Sequence, residues 1–241
     1  MNPIIVFLIV ILLLVVFFLI YRAIFPPTTT LKTLTNLNDP PVNVEITDGQ
    51  ATSGNVSYAI WLYVNTWKNN TQKIIFSRKG DLALYLDANT PTLLCDVTIN
   101  PTQKVPSDNT YNVSTIATSG ASNSNSQTIT VTNNLPLQKW VYIIVSMDTA
   151  GFTDIYLDGK LVKSVKLYNI RPSIPDNSTK IAIGDKPYDA YISQFIRYTY
   201  TMDPQTAWNL YLYGNSSFFG QYNVDVVLLK NGVVQKDLKL F

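Results

Sequence analysis

Eleven short segments with strand-like patterning follow one another with no amphipathic helix between them, and this series constrains the fold more than any other feature. They are VNVEI (42–46), SYAIWLYVN (57–65), KIIFSR (73–78), LALYLD (82–87), TLLCDVTI (92–99) and QTITVTN (127–133), then WVYIIVSMD (140–148), FTDIYLD (152–158), KLVKSVKLY (160–168), TKIAIGD (179–185) and AYISQFIRYTY (190–200). Within them apolar residues alternate with polar ones, as in Val141, Ile143 and Val145, the period of a strand packed on a core through one face. Asp158-Gly159 separates two such runs and is a residue pair suited to a two-residue hairpin turn, whose central positions need positive φ. The expected fold is all-β, an antiparallel β-sandwich of two sheets.

A second feature stands apart from that series. Ile4 through Ile20 is an unbroken apolar run, and Ala23, Ile24 and Phe25 extend it past Tyr21 and Arg22. About 20 helical residues at 1.5 Å each cross the roughly 30 Å hydrocarbon core of a bilayer, so the run predicts one N-terminal transmembrane helix. Pro3 suits a helix start and Pro26-Pro27 ends it. Met1-Asn2-Pro3 carries no side-chain charge and no Ala-x-Ala site follows, so a retained anchor is expected rather than a cleaved signal peptide. Arg22 and Lys32 on the C-terminal side favour a cytosolic position for the large domain. Sequons at Asn55, Asn69, Asn112, Asn177 and Asn215 carry little weight in a chain so rich in Asn, Ser and Thr.

The remaining organisation divides the chain into an anchor (1–25), a Pro/Thr-rich extended spacer (26–43), the β-sandwich (44–216) and a C-terminal β-hairpin extension (217–241) with Asn231-Gly232 at its turn. The stretch 101–125, rich in Ser, Thr and Asn, reads as a long excursion between strands. One short helix is expected after Asp203-Pro204, carrying Ala207, Trp208, Leu210 and Tyr211 on an apolar stripe and ending at Gly214.

The charge pattern excludes several functions. Net charge is +2 with no basic cluster of the kind nucleic-acid binding requires; Lys160, Lys163 and Lys166 beside Arg171 read as the solvated face or guarded edge of one hairpin strand. There is no His, so the usual general base and the usual transition-metal ligand are both missing. The single Cys95 lies in a strand segment, reads as a small buried hydrophobe, and precludes an intrachain disulfide.

Taken together, SYAIWLYVN, KIIFSRKGDLALYLD, PLQKWVYIIVSMDTAGFTDIYLDGKLVKSV, KIAIGD and AYISQFIRYTYTMDPQTAWNLY resemble the laminin-G-like, concanavalin-A-like lectin and glucanase superfamily of jelly-roll sandwiches, from about Asn55 to Gly214. In such a fold Trp61 and Trp140 are expected as inner-face anchors, Gly184 as a tight exit from IAI, and Tyr156 as a packed residue with its hydroxyl at a boundary. The resemblance implies a fold more than an activity. Glucanases of the family use paired carboxylates, typically Glu-x-Asp-x-x-Glu, whereas Glu45 is the only glutamate here, and Asp81, Asp87 and Asp96 do not match the pattern. No catalytic residue is therefore assigned and the protein is expected not to be an enzyme. Asp154, Asp158, Asp185 and Asp189 are the residues to consider for calcium, which the superfamily often binds, but they form no dense ligand run, so no metal or cofactor is assigned. Trp67, followed by Lys68, Asn69 and Asn70, is the one loop aromatic suggestive of sugar stacking.

The overall organisation also resembles that of membrane-associated structural proteins of large icosahedral DNA viruses. That resemblance implies a minor capsid protein at the interface of an internal virion membrane and the capsid shell, with the lipid bilayer and capsid or other virion proteins as partners and no nucleic acid. The alternative is a membrane-tethered lectin or adhesin that binds glycans and could use calcium.

Overall fold

The computed structural model describes residues 7, 9–17, 28–46, 54–99, 126–167 and 180–214, and the backbone of 225–230 and 233–239. All eleven expected strands are present: β2 (Val42–Val44), β3 (Val56–Val64), β4 (Lys73–Arg78), β5 (Leu82–Leu86), β6 (Leu93–Thr98), β7 (Ser126–Thr132), β8 (Trp140–Met147), β9 (Phe152–Leu157), β10 (Lys160–Lys166), β11 (Ile181–Ile183) and β12 (Ala190–Tyr198). A further strand, β1 (Thr28–Asn36), precedes them.

The strands form two six-stranded sheets, one ordered β1-β12-β3-β8-β9-β10 and the other β2-β11-β4-β5-β6-β7, with every pair antiparallel. The arrangement is a β-sandwich consistent with a jelly roll. Its core lies between the sheets, where Val56, Tyr58, Ile60 and Leu62 of β3 and Val141, Ile143 and Val145 of β8 meet Phe76, Leu82, Leu84 and Cys95. Rings of Tyr58, Phe76 and Phe195 contact one another there. Cys95 is buried, as expected of a small core side chain.

The segment expected as a Pro/Thr-rich extended spacer (26–43) supplies β1, so the sheets begin at Thr28 rather than at 44, and its end runs into the expected strand β2. Strand β1 pairs with β12 from Thr28 against Tyr198 to Asn36 against Tyr191. Its sequence TTTLKTLTN lacks large apolar residues in period two because backbone pairing holds it, with Leu31 buried and Leu34 left 64% exposed. Strand β2 caps the other sheet beside β11.

A second correction concerns the tryptophans. Strand β3 is buried on both faces, and Trp61 points away from the inter-sheet core into a smaller cluster with Tyr142, Ile144, Tyr156, Tyr198 and Met202; Trp140 packs on that same outer cluster. Helix α2 (Pro204–Leu212) belongs to this cluster through Ala207, Leu210 and Tyr211. Asp203 caps it, accepting hydrogen bonds from the N–H groups of Gln205 and Thr206, with Pro204 in the first turn and Gly214 in the left-handed region beyond the end. The Tyr156 hydroxyl donates to the Met202 carbonyl 2.9 Å away, tying β9 to the segment entering the helix. Gly184 leaves β11 at φ +73°, its N–H donating to Ile75 O.

At the N-terminus residues 9–17 form helix α1, and its apolar side chains are exposed. Among the described residues no helix is long and apolar enough to cross a membrane. The rest of the expected anchor and the excursion at 101–125 lie outside the described residues. The C-terminal strands β13 (Asp225–Lys230) and β14 (Val233–Lys239) pair antiparallel as a two-stranded sheet, with Lys230 opposite Val233, and the expected Asn231-Gly232 turn lies outside the described residues.

Candidate functional site

The β9–β10 turn, the approach to β8 and helix α2 meet at one corner of the sandwich and enclose a cleft of about 380 Å³ lined by Pro136, Lys139, Val141, Leu157, Asp158, Lys160, Trp208 and Tyr211. Asp158 and Gly159 adopt φ of +47° and +75°, the conformation a tight two-residue hairpin demands. Glycine is required twice over at 159, because a Cβ there would lie 2.9 Å from Trp208 Cε3 and 3.1 Å from its Cα. The helix therefore rests directly on the turn.

Asp158 is fixed from three sides. Its N–H donates to the Tyr142 carbonyl at 2.8 Å, its Oδ1 accepts from the Tyr142 N–H at 2.9 Å, and its Oδ2 accepts from Lys139 Nζ at 3.3 Å. Lys139 is positioned by the preceding residue, Gln138, which sits at φ +56° and donates its N–H to Val64 O. The opposite wall is aromatic. Trp208, 37% exposed, contacts Tyr211; Tyr211 stacks on Trp61, and Trp61 stacks on Tyr142 at 4.8 Å. Burial holds the Tyr142 hydroxyl well above its ordinary pKa of 10.0. A half-exposed indole beside a held carboxylate and two lysines offers an apolar face with a few placed polar groups, the composition of a small-ligand site.

The residues singled out from sequence are dispersed. Trp67 packs on the core, donates Nε1–H to Asn69 Oδ1, and has one ring face covered by the Lys73 ammonium at 3.8 Å, so that face is not open for stacking. Asp189 accepts from Asn65 Nδ2 and Thr66 Oγ1, Asp154 faces Ser164 across β9 and β10, Asp185 is exposed, and Asp158 holds the turn. Among the described residues no three His, Cys, Asp or Glu side chains come together as a metal site. Glu45 pairs with Lys180 at the surface. Asp81 is buried against Arg78 and accepts from the Tyr58 hydroxyl at 2.8 Å, Asp96 accepts from Tyr85, and Asp87 is bound into its own turn. Glu45, Asp81, Asp87 and Asp96 thus each have a separate structural partner. Trp208, Tyr211 and Lys139 were not marked as site residues by the sequence; the helix stripe read as core, and only the contact with Gly159 brings it to the turn.

Two six-stranded antiparallel sheets packed face to face define the class of all-β jelly-roll-like sandwiches. The chain belongs to the concanavalin A-like lectin/glucanases superfamily, matched over residues 42–207. No curated protein matches it in sequence. Among solved structures it is similar to the receptor binding domain of botulinum neurotoxin mosaic serotype C/D (TM-score 0.54, 11% identity, 78% of this chain and 46% of that one). It is also similar to the binding domain of botulinum neurotoxin DC in complex with rat synaptotagmin II (0.51, 16%, 77% and 46%) and to that domain in complex with SialylT (0.50, 17%, 78% and 42%). The chain spans less than half the length of these structures, and the similarity is one of fold.

Proposed function

We propose that the chain is a non-catalytic saccharide-binding module, tethered to a membrane by its N-terminal apolar run. The observation that carries the reading is the corner cleft, where the exposed face of Trp208 can stack on the apolar C–H face of a sugar while Asp158, Lys139 and Lys160 meet its hydroxyls. Membership in a lectin-like superfamily and fold neighbours that are binding domains support it. The exposed apolar side chains of α1 support the tether, since such a helix lowers its free energy in lipid. The capsid role expected from overall organisation gains no support from the comparisons, which favour the alternative.

The test is retention of the full chain, reconstituted in lipid nanodiscs, on an array of structurally varied saccharides. Retention on a defined subset, weakened at least about tenfold by Trp208→Ala, is expected, because an aromatic anchor of this kind dominates small contact surfaces. Absence of retention on every saccharide, with the protein folded, would overturn the reading.

A further inference from the structure

A second cleft, of about 590 Å³, differs in character from the first. It is lined by Asp87, Thr90, Thr92, Thr130, Thr132, Asn133 and Lys163, with Leu94 and Val131 as its apolar floor. Its polar groups are already ordered. Asp87 Oδ2 accepts from the N–H groups of Asn89 and Thr90 and from Thr90 Oγ1, which spreads its negative charge over donors of its own turn. Thr90 Oγ1 lies 2.9 Å from Thr92 Oγ1, and Thr132 Oγ1 accepts from the Asn134 N–H, leaving its hydroxyl proton to donate elsewhere. A row of fixed hydroxyls over an apolar floor suits a ligand that is itself a chain of hydroxyls.

Two stretches of chain run from one cleft to the other. Residues 132–139 pass from Thr132 and Asn133 in the second cleft to Pro136 and Lys139 in the first, pinned midway by the Leu135 N–H donating to Pro91 O. Strand β10 carries Lys160 in the first cleft and Lys163 in the second. In a regular strand residues three apart point to opposite faces. Here the pairing with β9 shifts register between Leu161 and Lys163, so Lys160 stands opposite Leu157 and Lys163 opposite Ile155, two residues on the same face of β9. The bulge therefore turns both side chains to one side, roughly 7 Å apart, the span of two residues of β9. Among the described residues neither lysine ion-pairs with a carboxylate.

We infer that the two clefts are the ends of one groove that binds an extended acidic saccharide, one unit stacked on Trp208 and further units lying across the threonine row, with anionic substituents met by Lys160 and Lys163. The inference rests on the saccharide-binding reading and adds to it a ligand length and a ligand charge. Anionic groups answer the two free ammonium groups, and a polymer answers two clefts joined by one bulged strand.

The test compares a uronic-acid-containing octasaccharide, its carboxyl-reduced counterpart and the matching acidic disaccharide, by titration against the full chain in nanodiscs of neutral lipid. The intact octasaccharide is expected to bind more tightly than both others. Lys163→Gln and Thr132→Val are each expected to lower the ratio of octasaccharide to disaccharide affinity, Lys163→Gln by about tenfold. Equal binding of the reduced chain, a ratio unmoved by both variants, or equally tight binding of polyglutamate would overturn the extended acidic-saccharide groove while leaving Trp208-dependent binding intact. Failure of all three saccharides, with none retained on the array, would remove the saccharide reading as well.

Discussion

Gly159 and Trp208 touch so closely that a single added carbon on the glycine would stand 2.9 Å from the indole Cε3. The hairpin turn and the helix are thus fitted to each other at a point where no other residue type fits without movement. Gly159→Ala is expected to destabilise the fold by about 1–3 kcal/mol, through a strained φ and overpacking together. Thermal unfolding followed by tryptophan fluorescence checks this, and an unchanged midpoint would show that the helix shifts freely.

The cap of α2 carries its own pH signature. The Thr206 hydroxyl and the backbone N–H groups of the first turn hold the Asp203 carboxyl below its ordinary value of 3.8. A depressed folded pKa means that the stabilisation is complete above that ordinary value and is lost as pH falls through the lower folded one. Asp203→Ala is expected to cost about 1 kcal/mol at neutral pH. The difference from wild type should shrink in acid, as urea titrations at several pH values would show.

Buried tyrosines set the alkaline limit. Burial raises the pKa of Tyr58, Tyr142 and Tyr188 above the ordinary value of 10.0. Their contribution is full below pH 10 and is lost as pH rises toward the folded values, so the share of tyrosinate absorbance that Tyr58→Phe, Tyr142→Phe and Tyr188→Phe remove should appear together with unfolding in base. Appearance of that share well before unfolding would contradict this.

Two of these hydroxyls should respond oppositely to removal. Tyr58 donates to buried Asp81, whereas the Tyr188 hydroxyl is buried with no hydrogen-bond partner among the described residues. Tyr58→Phe is expected to destabilise by about 1–3 kcal/mol, and Tyr188→Phe to be neutral or mildly stabilising. Denaturant midpoints of the two variants decide it.

The N-terminal strand offers a paired control. Leu31 is 7% exposed and sits in the core, while Leu34 of the same strand is 64% exposed. Leu31→Ala should cost about 2–4 kcal/mol and Leu34→Ala close to nothing. Equal, small effects would mean that β1 adds little to the sandwich.

Much of the sandwich was legible because its signals are local. The alternation in β8, the Asp158-Gly159 turn and the Asp203-Pro204 cap each need only a few neighbouring residues, and each appears where the sequence places it. What escaped depends on partners distant in sequence. Strand β1 is held by ladder bonds to β12, some 160 residues away, which leave no apolar period to read. Trp61 lies on a strand buried on both faces, so alternation cannot assign its side. The bulge that aligns Lys160 with Lys163 is a property of pairing and not of composition. The candidate site was hidden for the same reason, since Trp208 and Asp158 are 50 positions apart and become neighbours only through the helix–turn contact.

Strand β1 also changes how the molecule would carry load. Tension transmitted through the residues before Thr28 reaches an edge strand first, where pairing with β12 extends from Tyr198 back to Tyr191. Pulled along its own axis, such a strand shears its ladder bonds together; pulled sideways, it peels one bond at a time. Because Leu31 of the same strand sits in the inter-sheet core, parting that edge draws on core packing as well as on the ladder.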